Sequence, residues 1–490
     1  MKGDFREVMM RRFLCILIAF TAHFGIQAQQ SNTLFFMHSL PEANYINPAV
    51  QAECGIFIGL PLVSSFHESI ANSGFTAGNI MTLYTDGSMK RKTDLNTDKL
   101  ANRNYFLTEL HSVLLAAGLR RDDFYYTFTI TEKDNAAILY TRDLVAFSQY
   151  GSNEFEGQSI NLKGTRAMFN HYREFAFGVS KKYSANLTLG IKVKLLFGKF
   201  NFNTGNSSFG LYVEDGTRDI VFDMDGGFNS SLPYALTEER PGSYRFNKQY
   251  DASILKHLMN ARNPGFAFDF GFIYKYSDRL TFSGSLLDLG MIFYRSNLSN
   301  YNLTGNHIYQ GPFGNGSIDG TYLWDVFDEL NANMTEELTS NPYTYFLDPR
   351  LYIGAAYKLN KRYDLNVLMY NRLLPGKIQT GTTVSLLTRP AKALVTSISW
   401  SYMNRSVTNL GIGIGYGKNP IQLYLVSDNI VGIILPMNTK NVNLRLGINL
   451  NLGCREAFNI DQCGCNWLKD AEDRRLRKEK FRRSKKDKGN

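Results

Sequence analysis

The chain has 490 residues, with 54 lysines and arginines against 44 aspartates and glutamates, and a formal net charge of +10. Aromatics at 13% and charged residues at 20% argue against a disordered chain, while 41 glycines without a period and 5 cysteines exclude collagen-like and disulfide-dense scaffolds. The charge is concentrated at the ends: residues 1–28 carry +2, residues 466–490 carry +6, and +2 remains for the middle.

Residues 1–28 read as a signal peptide. Lys2, Arg6, Arg11 and Arg12 form its positive region, Phe13 to Phe20 its apolar run, and Ile26-Gln27-Ala28 a cleavage site. Thr21 and His23 interrupt the run, which is too short for a spanning helix, and Cys15 lies inside it, against a lipid anchor. The mature chain then starts near Gln29, in an oxidising compartment. No later stretch approaches the ~18 consecutive apolar residues of a spanning helix, which excludes a polytopic helical membrane protein.

Upstream strands are predicted at 55–63, 122–131 and 157–165. The spacing of Leu107, Leu110, Val113, Leu114 and Leu115 predicts a short amphipathic helix over 104–119, and a second helix is expected within 136–149. Beyond them the chain is written in period two. Leu187, Leu189, Ile191, Val193 and Leu195 alternate with Thr188, Gly190, Lys192 and Lys194. Phe266, Phe268, Phe270, Phe272, Tyr274 and Tyr276 alternate mainly with small or polar residues, among them Asp269. Val442, Leu444, Leu446, Ile448, Leu450 and Leu452 alternate with Asn443, Arg445, Gly447, Asn449 and Asn451. Each segment has one apolar and one polar face, over the length of a tilted strand crossing a bilayer.

A soluble sandwich turns such an apolar face inward. A transmembrane barrel turns it to lipid and the polar face to the lumen. Long and numerous strands, aromatics on the apolar face, Gly, Ser, Asn and Thr opposite, and a signal peptide favour the barrel. Lys192, Lys194, Asp269 and Arg445 must then face the lumen, because Lys or Arg at the lipid midplane costs ~2–4 kcal/mol. Counted back from the C-terminus, the connections alternate short and long. Segments 203–265 and 296–348 both fall on the external side, and both chain ends are expected in the periplasm. Eleven strands from residue 172 onward and three upstream predict an all-β antiparallel barrel of fourteen strands, within twelve to sixteen. Its lumen is too wide for strand side chains to fill. Residues 29–53 and the two predicted helices are the material available to plug it. The expected organisation is signal peptide 1–28, plug 29–53, barrel 54–454 and basic tail 455–490.

Leu34-Phe35-Phe36-Met37-His38-Ser39-Leu40-Pro41, followed by Tyr45-Ile46-Asn47-Pro48-Ala49-Val50-Gln51, resembles the N-terminus of a Bacteroidota family of outer-membrane barrels without assigned function. Tyr172–Gly198, Phe266–Gly290 and Val442–Gly453 resemble it too. That family is similar to FadL-type long-chain fatty-acid transporters and, more loosely, to the PorP/SprF membrane proteins of type IX secretion. The resemblance implies an outer-membrane barrel with an N-terminal hatch. Carrying over a substrate would be fold-level analogy.

Cys54 precedes the first predicted strand and Cys454 follows the last, and first and last strands are neighbours in a closed barrel. A Cys54–Cys454 disulfide locking the seam is therefore expected, although Cys463 and Cys465 leave other pairings open. Metal spacing is absent around Cys463-Gly464-Cys465. Gly411, Gly413, Gly415 and Gly417 fail the dinucleotide pattern and read as one face of a strand. Asp223-Met224-Asp225-Gly226 reads as a solvated turn of an external loop, since it lacks the remaining ligands of a calcium loop. No nucleophile–base pair emerges, no cofactor is implied, and the chain is not expected to be an enzyme. Arg474, Arg475, Arg477, Lys478, Arg482 and Arg483 form a basic tail, solvated or docked on an anionic periplasmic partner. Nucleic acid is not an expected partner in that compartment. Two functions fit: a passive channel for small hydrophobic molecules, or a structural or accessory barrel of an outer-membrane secretion complex.

Overall fold

In a computed structural model of the protein, the period-two segments close into fourteen antiparallel strands. The structure describes residues 31–453, apart from 84–88, 92–95, 206–207, 241–242, 249–252, 311–319, 392, 404–405 and 419. The signal-peptide region, Cys454, Cys463, Cys465 and the basic tail lie outside the described residues.

Barrel strand β1 comes in two pieces, Ile56–Gly59 and Phe66–Asn72. It is followed by β2 (Arg103–Arg121), β3 (Phe124–Thr141), β4 (Arg166–Lys182), β5 (Leu187–Asn203), β6 (Pro264–Lys275) and β7 (Leu280–Tyr294). Then come β8 (Arg350–Lys358, prolonged by Tyr343–Phe346), β9 (Tyr363–Leu374), β10 (Lys377–Ala391), β11 (Leu394–Met403), β12 (Ser406–Lys418), β13 (Ile421–Ser427) and β14 (Asn441–Leu452). Closure is direct, because β1 pairs with β2 on one side and with β14 on the other. No open edge remains in the wall, as a bilayer requires.

Burial is inverted relative to a soluble protein. On β5, Leu189, Ile191, Val193 and Leu195 are 41–48% exposed, while Lys192 and Lys194 are each 4% exposed. On β14, Leu446, Ile448 and Leu452 face outward and Asn443, Arg445, Asn449 and Asn451 are buried within. Such a surface is stable against lipid and not against water, and the protein is a transmembrane β-barrel. Among the described residues no helix is long and apolar enough to cross a membrane. One end of the barrel has only turns of two to four residues, the other end all the long insertions. Exposed Tyr126, Tyr183, Tyr276, Tyr363 and Tyr416 stand close to the short turns. They form a girdle of amphipathic rings where lipid meets water.

The long insertions fold into a layer over the loop end. Ile220–Ser231 pairs along its length with Leu298–Tyr309, and Asn229–Ser231 joins the end of β5. Val213, Ile220, Phe222, Tyr301, Leu303, Val326 and Leu330 give this layer an apolar core of its own.

Five local expectations need correction. Segment 104–119 is not a helix but most of β2. Tyr105, Leu107, Glu109, His111 and Val113 are buried inside, and then a bulge between Val113 and Leu115 shifts the inward phase to Ala116. That phase change mimics a spacing of three and four. Segment 157–165 contributes only Ser159–Asn161, which pairs with Gly210–Tyr212 outside the wall. The two errors offset each other, so the count of fourteen stands. The helix expected within 136–149 occupies Arg142–Tyr150, because 136–141 complete β3. Asp223-Met224-Asp225-Gly226 is ladder and not turn, with Asp223 opposite Asn306 and Asp225 opposite Thr304. The first strand, expected at 55–63, also differs: Leu60–Ser65 leave the ladder before it resumes at Phe66. Pro61 has no N–H to donate and Leu62 has a φ of 65°, so this stretch cannot pair as a regular strand.

Candidate functional site

Residues 31–52 enter the lumen as a chain of turns, with one short helical turn at Pro41–Tyr45. Pro41 and Pro48 prevent a continued helix. Leu34, Phe35, Phe36, Met37, Leu40, Ala43, Ile46 and Val50 are buried. They pack on inward-facing Leu287, Tyr352, Leu368, Tyr370, Leu387, Val395, Tyr424 and Val426. On that side the lumen is apolar.

The wall is hollowed where the plug lies. Side chains added at Gly411, Gly413 and Gly415 of β12 would meet Thr33, Met37 and Leu40 in turn. Gly190 on β5 and Gly271 on β6 lie under Asn47–Ala49, and a Cβ at Gly190 would overlap the Pro48 carbonyl. The alternating glycines are thus space for the plug and not a phosphate loop.

Polar groups fasten the plug at intervals. Asp428 accepts from the backbone N–H groups of Asn32 (3.2 Å) and Thr33 (2.7 Å). Ser285 Oγ donates to the Ile46 carbonyl at 2.6 Å, and Asn449 donates to Glu42. Of the four polar residues expected inside, all are buried and two grip the plug. Lys192 Nζ donates to the Asn44 carbonyl at 2.7 Å, and Arg445 donates to Ser31 Oγ at 3.3 Å and to Ser65 Oγ at 3.1 Å.

The other two belong to a chain of ion pairs. Lys194 Nζ lies 2.7 Å from both Asp269 and Asp288 and 3.5 Å from Glu174. Glu174 also holds Lys133 at 2.7 Å. Asp288 reaches Arg350 at 3.7 Å, and Arg350 reaches Glu109 at 3.0 Å. Arg372 joins Glu109 (2.5 Å) to Asp348 (2.8 Å). Glu109 is on β2, whereas Arg350 and Arg372 are on β8 and β9, so the chain crosses from one wall to the other. Sequence reading found Lys194 and Asp269 but missed their partners. Glu174 lies on a strand whose period was legible, Lys133 lies just beyond the predicted strand 122–131, and Glu109 was hidden by the helical reading of 104–119.

A cavity of about 70 Å³ lies between plug and ion pairs, lined among others by Tyr45, His67, His111 and Arg445. Facing residues His67 and His111 form, with Glu109, a group whose ligand atoms lie within 4.8 Å of one another. Two guanidinium groups already neutralise Glu109, so the set suits a divalent cation poorly. At the seam, Cys54 is disulfide-bonded. In the loop-end layer, away from the membrane, hydrogen bonds from Arg245 and then their mutual charge hold the Asp328 carboxyl below its ordinary range.

Similar solved structures include the Ralstonia pickettii toluene transporter TbuX, at 11% identity and TM-score 0.39, covering 86% of this chain and 94% of that one. A Pseudomonas aeruginosa FadL homologue is 10% identical with TM-score 0.38, over 88% of this chain and 100% of the other. The P. putida toluene transporter TodX is 9% identical with TM-score 0.34, over 84% and 92%. No curated protein matches the sequence. A family model matches from the plug's Pro48 through β1 to β13 and ends at the plug-holding Asp428: over residues 48–428 the chain belongs to DUF5723, a family of unknown function.

Proposed function

We propose that the protein is an outer-membrane channel for small hydrophobic solutes, held closed by residues 31–52. The observation that carries this reading is the apolar contact between plug and wall. A lumen for ions or sugars needs a polar wall along the whole path of the solute. Here the plug covers Leu287, Leu368, Leu387, Val395 and Val426. Displacing it uncovers an apolar path inside the barrel, at ~25 cal/mol for each Å² that water would wet and an apolar solute would cover. The short turns and both chain ends then face the periplasm, and the basic tail meets an anionic partner there. The test is uptake of a small aromatic hydrocarbon by cells lacking the protein and complemented with the wild type or with Gly190→Val. The variant leaves the barrel intact and crowds the plug, so faster uptake is expected. Equal uptake with and without the protein would remove the channel reading.

A second reading, an accessory barrel of a secretion complex akin to PorP/SprF, is favoured by the wall-to-wall ion pairs at Glu109, which brace the lumen shut. It requires the tail: deleting residues 466–490 would then dissolve a complex and leave uptake unchanged.

A further inference from the structure

We infer that the cavity between the plug and the ion pairs binds a small monovalent anion of the size of chloride, which locks the plug in its seat. Five cations line this cavity, Lys133, Lys192, Lys194, Arg350 and Arg445, against three carboxylates, Glu174, Asp269 and Asp288. The three carboxylates are taken, because Lys133, Lys194 and Arg350 hold them in ion pairs. Arg350 shares Glu109 with Arg372, and Arg372 also holds Asp348, so that branch adds no spare carboxylate. Lys192 and Arg445 remain. Their acceptors are neutral oxygens, the Asn44 carbonyl for Lys192 and the Ser31 and Ser65 hydroxyls for Arg445. Among the described residues neither forms an ion pair. Glu42 of the plug acts on Arg445 only through space, and its carboxylate accepts from Asn449.

Donors stand ready for the anion. Arg445 is 8% exposed, and its Nε has no hydrogen-bond partner among the described residues. The same holds for Nδ1 of His67, which is 2% exposed and lines the same cavity. Lys192 uses one of its three donors on Asn44. Charges this deep are costly unless an opposite charge pairs with them. An anion that accepts from Arg445, His67 and Lys192 supplies that charge. The remaining donors of Arg445 and Lys192 still grip the plug at Ser31 and Asn44. The anion therefore fixes the two side chains that hold both ends of the plug. Size narrows its identity. A cavity of about 70 Å³ has room for on the order of two water-sized bodies, at ~30 Å³ each. It admits a halide and excludes an ester or a sugar acid. The inference does not depend on what the lumen carries.

The test uses the full-length protein in maltoside micelles, exchanged into sodium gluconate, whose anion is too large for the cavity. Sodium chloride then replaces gluconate at constant ionic strength, which separates binding at a site from screening of the ion pairs. Cleavage by protease within residues 31–52 should slow at least about tenfold and level off as a single site fills. Arg445→Gln and Lys192→Gln should each abolish this dependence on chloride. Crystals of the wild type grown in sodium bromide decide the matter should the variants fail to fold: an anomalous peak is expected in the cavity beside Arg445 and Lys192. Equal cleavage in chloride and gluconate, an unchanged chloride dependence in the folded variants, or a cavity without a bromide peak would overturn the proposal. No step of the experiment measures transport, so a failed channel and a failed anion site give different results.

Discussion

The Phe35 ring lies parallel to the Tyr352 ring, with centroids 5.5 Å apart and planes inclined by 15°. One belongs to the plug and the other to β8, so the stack joins the plug to the wall. Phe36 meets Phe35 edge-on at 5.0 Å and extends the contact. Phe35→Ala should cost about 3–5 kcal/mol of plug docking, as large-to-small changes in a packed core do. The expected readout is proteolysis within residues 31–52 of the folded protein in micelles. Resistance equal to the wild type would mean that the stack holds nothing.

Gly190→Val tests the same contact from the wall. Position 190 has no room for a side chain beneath Pro48, and β5 is long and paired on both sides. The barrel should still show its heat-modifiable gel mobility, while single-channel conductance in planar bilayers rises. A closed variant would show that the plug can shift without opening a path.

Breaking the wall-to-wall ion pairs should weaken the barrel itself. The Glu109 and Arg372 side chains are each 2% exposed, and removing one leaves the other charged and buried. Glu109→Gln should cost about 3–5 kcal/mol, read as a lower urea midpoint from liposomes, whereas the joint change Glu109→Met/Arg372→Met should cost much less. Equal losses in the two variants would mean that the charges are not coupled.

The seam predicts the partner of Cys54. Ile56 pairs with Leu452, and Gly55 has the Gly453 carbonyl as a close neighbour. On this register Cys454 is the expected partner of Cys54. Peptide mapping without reduction should find a Cys54–Cys454 cross-link, and Cys454→Ser should leave Cys54 reactive to maleimide. A link from Cys54 to Cys463 or Cys465 would refute the pairing.

The loop-end layer should loosen in acid. Arg245 donates to both oxygens of Asp328 at 2.8 Å, which lowers that carboxyl's pKa in the folded state. A depressed carboxyl stabilises above its unfolded pKa, and that contribution is lost as pH falls through the folded one. Hydrogen exchange in Ser243–Lys248 should therefore be slow at neutral pH and accelerate below the ordinary aspartate range. Asp328→Asn should make exchange fast at every pH.

The barrel was legible in the sequence because lipid imposes a strict two-residue alternation, and β5, β6 and β14 keep it without a break. Residues 29–53 were expected to plug the lumen only because a wide barrel needs filling, and the residues they touch could not be read from the sequence. What escaped was local. At Val113 to Leu115 one bulge reversed the phase of β2, and in Leu60–Ser65 a proline took the chain out of the ladder. The ion pairs escaped for another reason. Lys133, Glu174, Asp288 and Arg350 stand on separate strands, and spacing along the chain says nothing about which polar residues meet across a lumen.

The row of glycines on β12 bears on the order of assembly. The plug leaves the ribosome before any barrel strand, yet its seat includes Gly411 to Gly415, Asp428 and Asn449 near the other end of the chain. It has no complete seat until the C-terminal strands have joined the wall. A segment that precedes every barrel strand in the chain is therefore ordered last, and the barrel must close around a chain that is still searching for its place.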